Sequence, residues 1–317
     1  MKKNIAVVGC GHWGKNLVRN FSELNALYAI CDPDTSVANK FAKDFSVKNL
    51  SFDEILDNKN IKGVVLAVPA PLHARMAIRA MNQGKDVYVE KPIALNEGEA
   101  KDMLSCSEKN NVKLMVGHLL QYHPVFIALK NLVQSNKLGN IRHIFSNRKS
   151  FGKVRTEEDV IWSFSPHDIS MILSLTNEAP IKVWSDKSFI LQHDIADIAS
   201  INLEFSSGIN ARICVSWINP IKEQKITVIG DKGAAIFDDT KAWEEKLTYF
   251  KHNIGLENHL PLLEKAEPNF IQVPQSEPLK DECHHFTEVV NKGIRPITDG
   301  EEGLKVLKVL SEASIIK

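Results

Sequence analysis

The sequence has no excess of charge. Lys and Arg together number 39, as do Asp and Glu, in 317 residues. A nucleic-acid-binding chain usually carries a basic surplus, so no nucleic-acid partner is expected. Balance still allows a small basic pocket for an anion. Long apolar runs are also missing. None approaches the ~18–20 residues of a membrane span, and no membrane partner is expected. The start, Ile5-Ala6-Val7-Val8 after Lys2-Lys3, is too short for the roughly 7–15 apolar residues of a secretory leader, and Gly9 and His12 break the apolar character beyond it. There are five cysteines, Cys10, Cys31, Cys106, Cys214 and Cys283, widely spaced and without a C-x-x-C. Such usage reads as reduced thiols in a cytoplasmic protein. Internal repeats and low-complexity tracts are absent.

The residues that are present fall into two grammars. Over residues 4–118, short β-branched runs (Ile5–Val8, Leu27–Cys31, Val64–Val68, Val87–Val89, Leu114–Val116) alternate with helical stretches near 13–24, 35–44, 71–83 and 97–110. Unbroken apolar strands alternating with helices predict a doubly wound, parallel α/β sheet. After about residue 120 the pattern changes. A helix near 123–135 leads to a strand at Ile141–Phe151. Then Ile201, Leu203 and Phe205, and beyond Ser206-Ser207-Gly208 the residues Ile209, Ala211, Ile213, Val215 and Trp217, repeat with period two. That is an antiparallel hairpin with one buried face. The expected architecture is α/β: a Rossmann domain over 1–119, then an α+β domain over 120–317 with an open, mostly antiparallel sheet. Helices near 279–292 and 301–314 close the second domain, and 252–278 reads as an exposed loop.

Gly9-Cys10-Gly11-His12-Trp13-Gly14 fits G-x-G-x-x-G directly after a strand and at the opening of a helix. Gly9 allows the tight turn, Gly11 the approach of a pyrophosphate, and Gly14 close packing of helix on sheet. The helix dipole then faces the phosphates. Asp32 ends the second strand, about 20 residues beyond the glycines, where an acid accepts from the ribose hydroxyls. A carboxylate there repels a 2′-phosphate, so NAD is expected rather than NADP; Asp32 also suits a turn before Pro33. Pro69 and His73 follow the strand Val64–Val68, on a wall of the crevice, with His73 as a capping or packing residue. Glu90-Lys91-Pro92 follows the strand Val87–Val89 at its C-terminal end, where open α/β sheets place ligands. The expected cofactor set is therefore Gly9, Gly11, His12, Trp13, Gly14, Asp32, Pro69, His73, Glu90 and Lys91.

Together these motifs resemble the glucose-fructose oxidoreductase / inositol dehydrogenase family, Gfo/Idh/MocA, over essentially the whole chain. The resemblance implies that Lys91 is the main catalytic residue, taking a sugar hydroxyl proton while hydride leaves carbon; partial desolvation beside a cationic nicotinamide would favour its neutral form. It also implies a second element, D-x-x-x-H opening a helix. Here His167 matches the histidine, while Ser163 stands at the aspartate. Ser165 reads as an N-cap and Pro166 as the first helical residue, which puts His167 on the first turn as an orienting or relaying group. Gln121 and Tyr122 fall where the family has a pair lining the sugar pocket. Arg148, Lys149, Lys153 and Arg155 form a basic cluster, either a solvated strand end or a clamp for a carboxylate or phosphate. With Trp162–Ser170 this cluster resembles the nucleotide-sugar branch, similar to UDP-N-acetylglucosaminuronate 3-dehydrogenases of surface-polysaccharide synthesis. There, Arg148, Lys153 and Arg155 hold the anionic part of the substrate and Ser163 lines its pocket. The resemblance further implies a homo-oligomer, dimer or tetramer, formed through the open sheet. A free-sugar or cyclitol dehydrogenase and a non-catalytic NAD-sensing regulator are the alternative readings. Cys283-His284-His285 lacks a second ligand pair at zinc spacing, so no metal is expected. Gly230-Asp231-Lys232-Gly233 is a hairpin turn.

Overall fold

The computed structural model describes residues 2–264 and 266–315. The chain forms two compact units. The first comprises Met1–Tyr122 with Glu277–Leu307, and the second His123–Ser276 with Lys308–Lys317.

In the N-terminal part the elements are β1 (Ile5–Val8), α1 (Gly14–Glu23), β2 (Leu27–Cys31), α2 (Thr35–Asp44), β3 (Lys48–Asn49), α3 (Phe52–Asp57), β4 (Gly63–Leu66), α4 (His73–Asn82), β5 (Asp86–Glu90), α5 (Glu97–Lys109) and β6 (Leu114–Gly117). The six strands run parallel in the order β3-β2-β1-β4-β5-β6. The order reverses between β1 and β4, the switch point at which such sheets bind ligands beyond the strand C-termini. Strands β1 and β4 are fully buried, as their unbroken apolar runs require. Strand β3 and helix α3 have no counterpart in the sequence pattern. The helix is only six residues long, but Ser51 and Glu54 cap it reciprocally, a pairing that satisfies two otherwise orphan N–H groups.

The second unit contains α6 (Pro124–Gln134), β7 (Ile141–Phe151), α7 (Val160–Thr176), β8 (Pro180–Ser188), β9 (Ile198–Phe205), β10 (Asn210–Ser216), β11 (Ile218–Gly230), β12 (Ala234–Asp238), β13 (Leu247–Phe250), β14 (Asn253–Glu257), β15 (Leu260–Glu264) and β16 (Asn269–Phe270). Eight of these strands form one sheet, β16-β13-β12-β11-β7-β10-β9-β8. It is antiparallel except for the β7–β10 pair. The predicted hairpin is β9–β10, with Ile201 opposite Ile213 and Leu203 opposite Ala211, all four buried. Helix α7 packs on β7, β9 and β10. The stretch expected as an exposed loop holds the β14–β15 hairpin instead. Its turn residues Asn258 and His259 both have positive φ (49° and 67°), as a tight two-residue hairpin loop demands.

Two helices close the chain, α8 (Pro278–Lys292) and α9 (Gly300–Ser314). The sequence boundary at 119/120 gave both to the second domain. The structure corrects this for α8 and the first part of α9, which belong to the first unit. Helix α8 buries Leu279, Cys283, Phe286 and Val289, and Phe286 meets the rings of Phe21 and Tyr88 edge-on at 6.2 and 5.7 Å. Burying each such side chain stabilises by about 1.5–3 kcal/mol. Gly63 makes the approach possible, since a Cβ there would lie 2.7 Å from Val290. Among the described residues, no helix is long and apolar enough to cross a membrane.

Candidate active site

The turn after β1 is shaped by its glycines. Gly9 has φ +92°, and a Cβ on it would lie 2.5 Å from the Ala67 carbonyl oxygen. A Cβ on Gly14 would lie 1.9 Å from the Gly9 oxygen. Beside Gly11 a Cβ would meet nothing within 4 Å. Two glycines are thus demanded by the protein's own backbone, whereas Gly11 borders open space, as the fingerprint requires of a residue that a pyrophosphate approaches. Asp32 is joined to this turn: its Oδ2 accepts from the Cys10 N–H at 2.7 Å and its Oδ1 from the Asp34 N–H at 2.9 Å. The turn role and the ribose role coexist, because each carboxylate oxygen can accept more than one hydrogen bond. Burial, with Asp32 and Cys31 adding to it, pushes the Cys10 thiol up to about 12, so the thiol inside the fingerprint is neutral. His12, Trp13 and Pro69 are exposed. These residues fit a dinucleotide: an open backbone for phosphate, an acceptor pair for ribose hydroxyls and a helix N-terminus.

Across the switch point, Glu90 ends β5. Its carboxylate accepts from Trp13 Nε1 (2.6 Å), from the Tyr88 hydroxyl (3.0 Å) and from the Lys91 N–H (3.3 Å). Burial pushes its pKa up, and these donors act against the rise. Gly117 on β6 leaves the room it occupies, since a Cβ there would lie 2.7 Å from the Tyr88 hydroxyl and 2.9 Å from Glu90 Oε2. The indole of Trp13 therefore ties the fingerprint turn to the segment that carries Lys91, which is itself partly exposed. His73 was expected as a capping or packing residue and in the cofactor set. It is 1% exposed, and its ring nitrogens face two backbone carbonyls, Nδ1 to Pro92 O at 2.8 Å and Nε2 to Val68 O at 2.9 Å. It belongs to the wall behind the cofactor set. Tyr88, Gly117 and Glu282 also take part here and carry no motif that sequence reasoning could find. Glu282 on α8 is fully buried. Burial first, and then the charge of Glu90, hold its pKa well above the usual carboxylate range.

Tyr122 lies in the interior of the first unit, 4% exposed. The Thr298 hydroxyl donates to Val116 O and accepts from the Tyr122 hydroxyl at 3.0 Å. Burial raises the Tyr122 pKa well above its ordinary value. Its hydroxyl is committed to the core, which corrects the expectation of a pocket-lining aromatic. Gln121 is buried beside it.

In the second unit α7 begins earlier than expected. Asp159, rather than Ser165, is the N-cap, accepting from the Trp162 N–H at 3.1 Å. Pro166 sits inside the helix and removes one intrahelical bond, a change that costs about 3 kcal/mol in an exposed helix. Burial of Val160 and Ile161 carries the helix through it. His167 is therefore two turns into the helix, with Ser163 four residues before it on the same face. Arg148 also departs from expectation. Its Nε and Nη2 donate to Asp168 at 2.6 and 3.3 Å, and Ser146 donates to the same carboxylate at 2.6 Å. Asp168 is 1% exposed, so the guanidinium answers a buried charge within its own unit. Lys153 is exposed, and Arg155 lies 3.9 Å from Glu158.

A parallel sheet in the order of a dinucleotide-binding fold, with a glycine turn and an acid at its switch point, defines a dinucleotide-binding protein. The comparisons narrow the class. Residues 3–118 match the oxidoreductase family with an NAD-binding Rossmann fold, GFO_IDH_MocA, and residues 126–236 match the GFO/IDH/MocA C-terminal domain. The chain belongs to the Gfo/Idh/MocA family. It is 23% identical to inositol 2-dehydrogenase of Rhizobium meliloti, over 99% of this chain and 96% of that one. It is 24% identical to myo-inositol 2-dehydrogenase of Thermotoga maritima, over 96% and 92%. UDP-N-acetylglucosamine 3-dehydrogenase GnnA from Acidithiobacillus ferrooxidans shares the fold, with a TM-score of 0.86 at 22% identity, over 98% of this chain and 96% of that one.

Proposed function

We propose that the chain is an NAD-dependent dehydrogenase acting on a secondary ring hydroxyl of a sugar, with the C3 hydroxyl of a nucleotide-linked sugar uronate as preferred substrate. The observation that carries this is Lys91, which comes directly after half-buried Glu90 at the C-terminal end of β5, on the sheet edge that also holds the glycine turn. When bound, NAD supplies the hydride acceptor. Lys91 takes the hydroxyl proton through its amine, a step that contributes typically 10²–10⁴-fold. Glu90 holds the Lys91 backbone through the 3.3 Å bond. Asp32 accepts from the ribose hydroxyls and disfavours a 2′-phosphate, which selects NAD over NADP. His167 and Ser163, one turn apart, orient the substrate hydroxyl, and Lys153 and Arg155 meet its anionic part. The open face of the eight-stranded sheet forms the contact of a homo-oligomer.

A second reading has one observation in its favour. Arg148 is paired with Asp168, so the basic cluster has one fewer cation to offer an anion, which favours a neutral sugar or cyclitol. The sequence relatives named inositol dehydrogenases support the same reading, and GnnA's name supports the first. The test is NADH formation with NAD and, separately, UDP-N-acetylglucosamine, its uronate, myo-inositol and glucose. Turnover with the uronate at least tenfold above myo-inositol is the expected result. The reverse ranking establishes the cyclitol reading. Tight NAD binding with no turnover on any of the four leaves a regulator.

A further inference from the structure

Trp13 stands where local rules argue against it. It is the N-cap of α1, a position that favours a short side chain whose oxygen accepts from the first helical N–H groups. Its side chain makes no such bond, and an indole cannot, since it only donates. The glycine fingerprint leaves the position open, so the turn does not ask for tryptophan either. Trp13 is also 38% exposed. A residue that breaks a local rule answers a need elsewhere in the molecule. Here the need lies within the first unit. The indole N–H donates to Glu90 Oε1 at 2.6 Å, yet the two residues do not follow neighbouring strands. The turn follows β1, Glu90 ends β5, and β4 lies between them. Two strand spacings make about 10 Å. The indole therefore reaches past the C-terminal end of β4, across the crevice of the switch point. A long side chain with its donor at the far end suits that span.

We infer that Trp13 is a positioning residue for Lys91, acting through Glu90: the bonds run from the indole N–H to Glu90 Oε1, and from the Lys91 N–H to Glu90 Oε2. The second bond is 3.3 Å long. Tyr88 also donates to Oε1, at 3.0 Å. Glu90 thus has three donors around it, and a carboxylate, which only accepts, serves all three at once. The indole bond is the shortest of the three, and hydrogen bonds to an ionised acceptor are shorter and stronger than neutral ones. Tyr88 and Lys91 belong to β5 and its end, so their bonds cannot fix Glu90 against the glycine turn. Of the three, the indole alone does that. The tie sets the spacing between the turn that a pyrophosphate approaches and the backbone that carries the amine. Its effect on turnover rests on the reading of Lys91 as the acid/base. Its effect on the Lys91 backbone does not.

The test is Trp13→Phe, which keeps an aromatic ring and removes the donor. NAD affinity and kcat are measured against the parent, on the sugar that the substrate panel selects. Hydrogen exchange at the Lys91 amide is followed by NMR in the same two proteins. The expected result is NAD affinity within about threefold, kcat lower by about 10–100-fold, and Lys91 exchange faster by about tenfold or more. A residue that only contacts the cofactor loses NAD affinity in step with kcat, and one that only fills space leaves the Lys91 exchange unchanged; either result overturns the inference. So does an unchanged kcat where Lys91→Met is slow. If Lys91→Met turns over normally, the role of Lys91 in the reaction falls, and exchange at its amide alone decides the tie. Should Trp13→Phe fail to fold, Glu90→Gln reads the same link from the other side. The indole N–H resonance of Trp13 then moves and the Lys91 amide exchanges faster, and the absence of either change overturns the inference.

Discussion

Gly11 and Gly14 belong to one motif but are glycine for different reasons, and alanine separates the reasons. At Gly14 a methyl group would overlap the Gly9 backbone, whereas at Gly11 it would point into open space. Gly14→Ala should cost ~1–3 kcal/mol, as an overpacked buried site does, and should lower the melting temperature. Gly11→Ala should melt within ~0.5 kcal/mol of the parent and still bind NAD at least tenfold more weakly. Calorimetry and an NAD titration on both variants check this. Normal NAD affinity in a well-folded Gly11→Ala would remove the phosphates from the turn. At this scale much of the site was legible: the spacing of Gly9, Gly11, Gly14 and Asp32 describes backbone needs, and backbone needs are local. His73 and Tyr122 were not legible in the same way. The atoms their polar groups touch, in Pro92 and Val68 for one and Thr298 for the other, are set by the fold rather than by local pattern.

Single elements show where local reading stops. The strand Ile141–Phe151 was legible from its pattern, but the partner of Arg148 was not, because Asp168 lies on a helix that the sequence pairs with nothing. Removing Arg148 leaves a carboxylate that is 1% exposed without its counter-charge, and breaking a buried pair in this way costs ~3–5 kcal/mol. Arg148→Met should destabilise the protein strongly in denaturant unfolding, while Lys153→Met at an exposed position should change stability by less than ~0.5 kcal/mol. Equal, small effects would mean that Arg148 is a solvated cation after all. Pro166 misled in a related way. A proline reads as a helix start because its missing N–H is harmless there, and only the apolar residues Val160 and Ile161 ahead of it, buried in the structure, reveal a helix already under way.

For the whole molecule, the amphipathic stripe of α8 was visible as helix, but periodicity carries no address. Its place on the first unit depends on Gly63, more than 200 residues earlier in the sequence. The outer face of the second sheet raises a question of the same scale. Helix α7 covers the β7 face that holds Ile144 and Ser146. Phe145 and Phe151 alternate with these residues and are 42% and 80% exposed. Exposed phenylalanines on this face fit the homo-oligomer contact proposed above. Sedimentation should show a dimer or tetramer for the parent, and Phe145→Glu with Phe151→Glu should shift it toward monomer with the fold retained. A parent that sediments as a monomer at micromolar concentration would contradict the proposed oligomer.

The most direct measurement of the central claim compares NAD affinity and turnover in the parent and Lys91→Met, on whichever sugar the substrate panel selects. The account predicts NAD affinity within a few-fold of the parent and kcat lower by ~10²–10⁴. Near-normal turnover with NAD bound would contradict it, because the proton would then be leaving the hydroxyl without the amine.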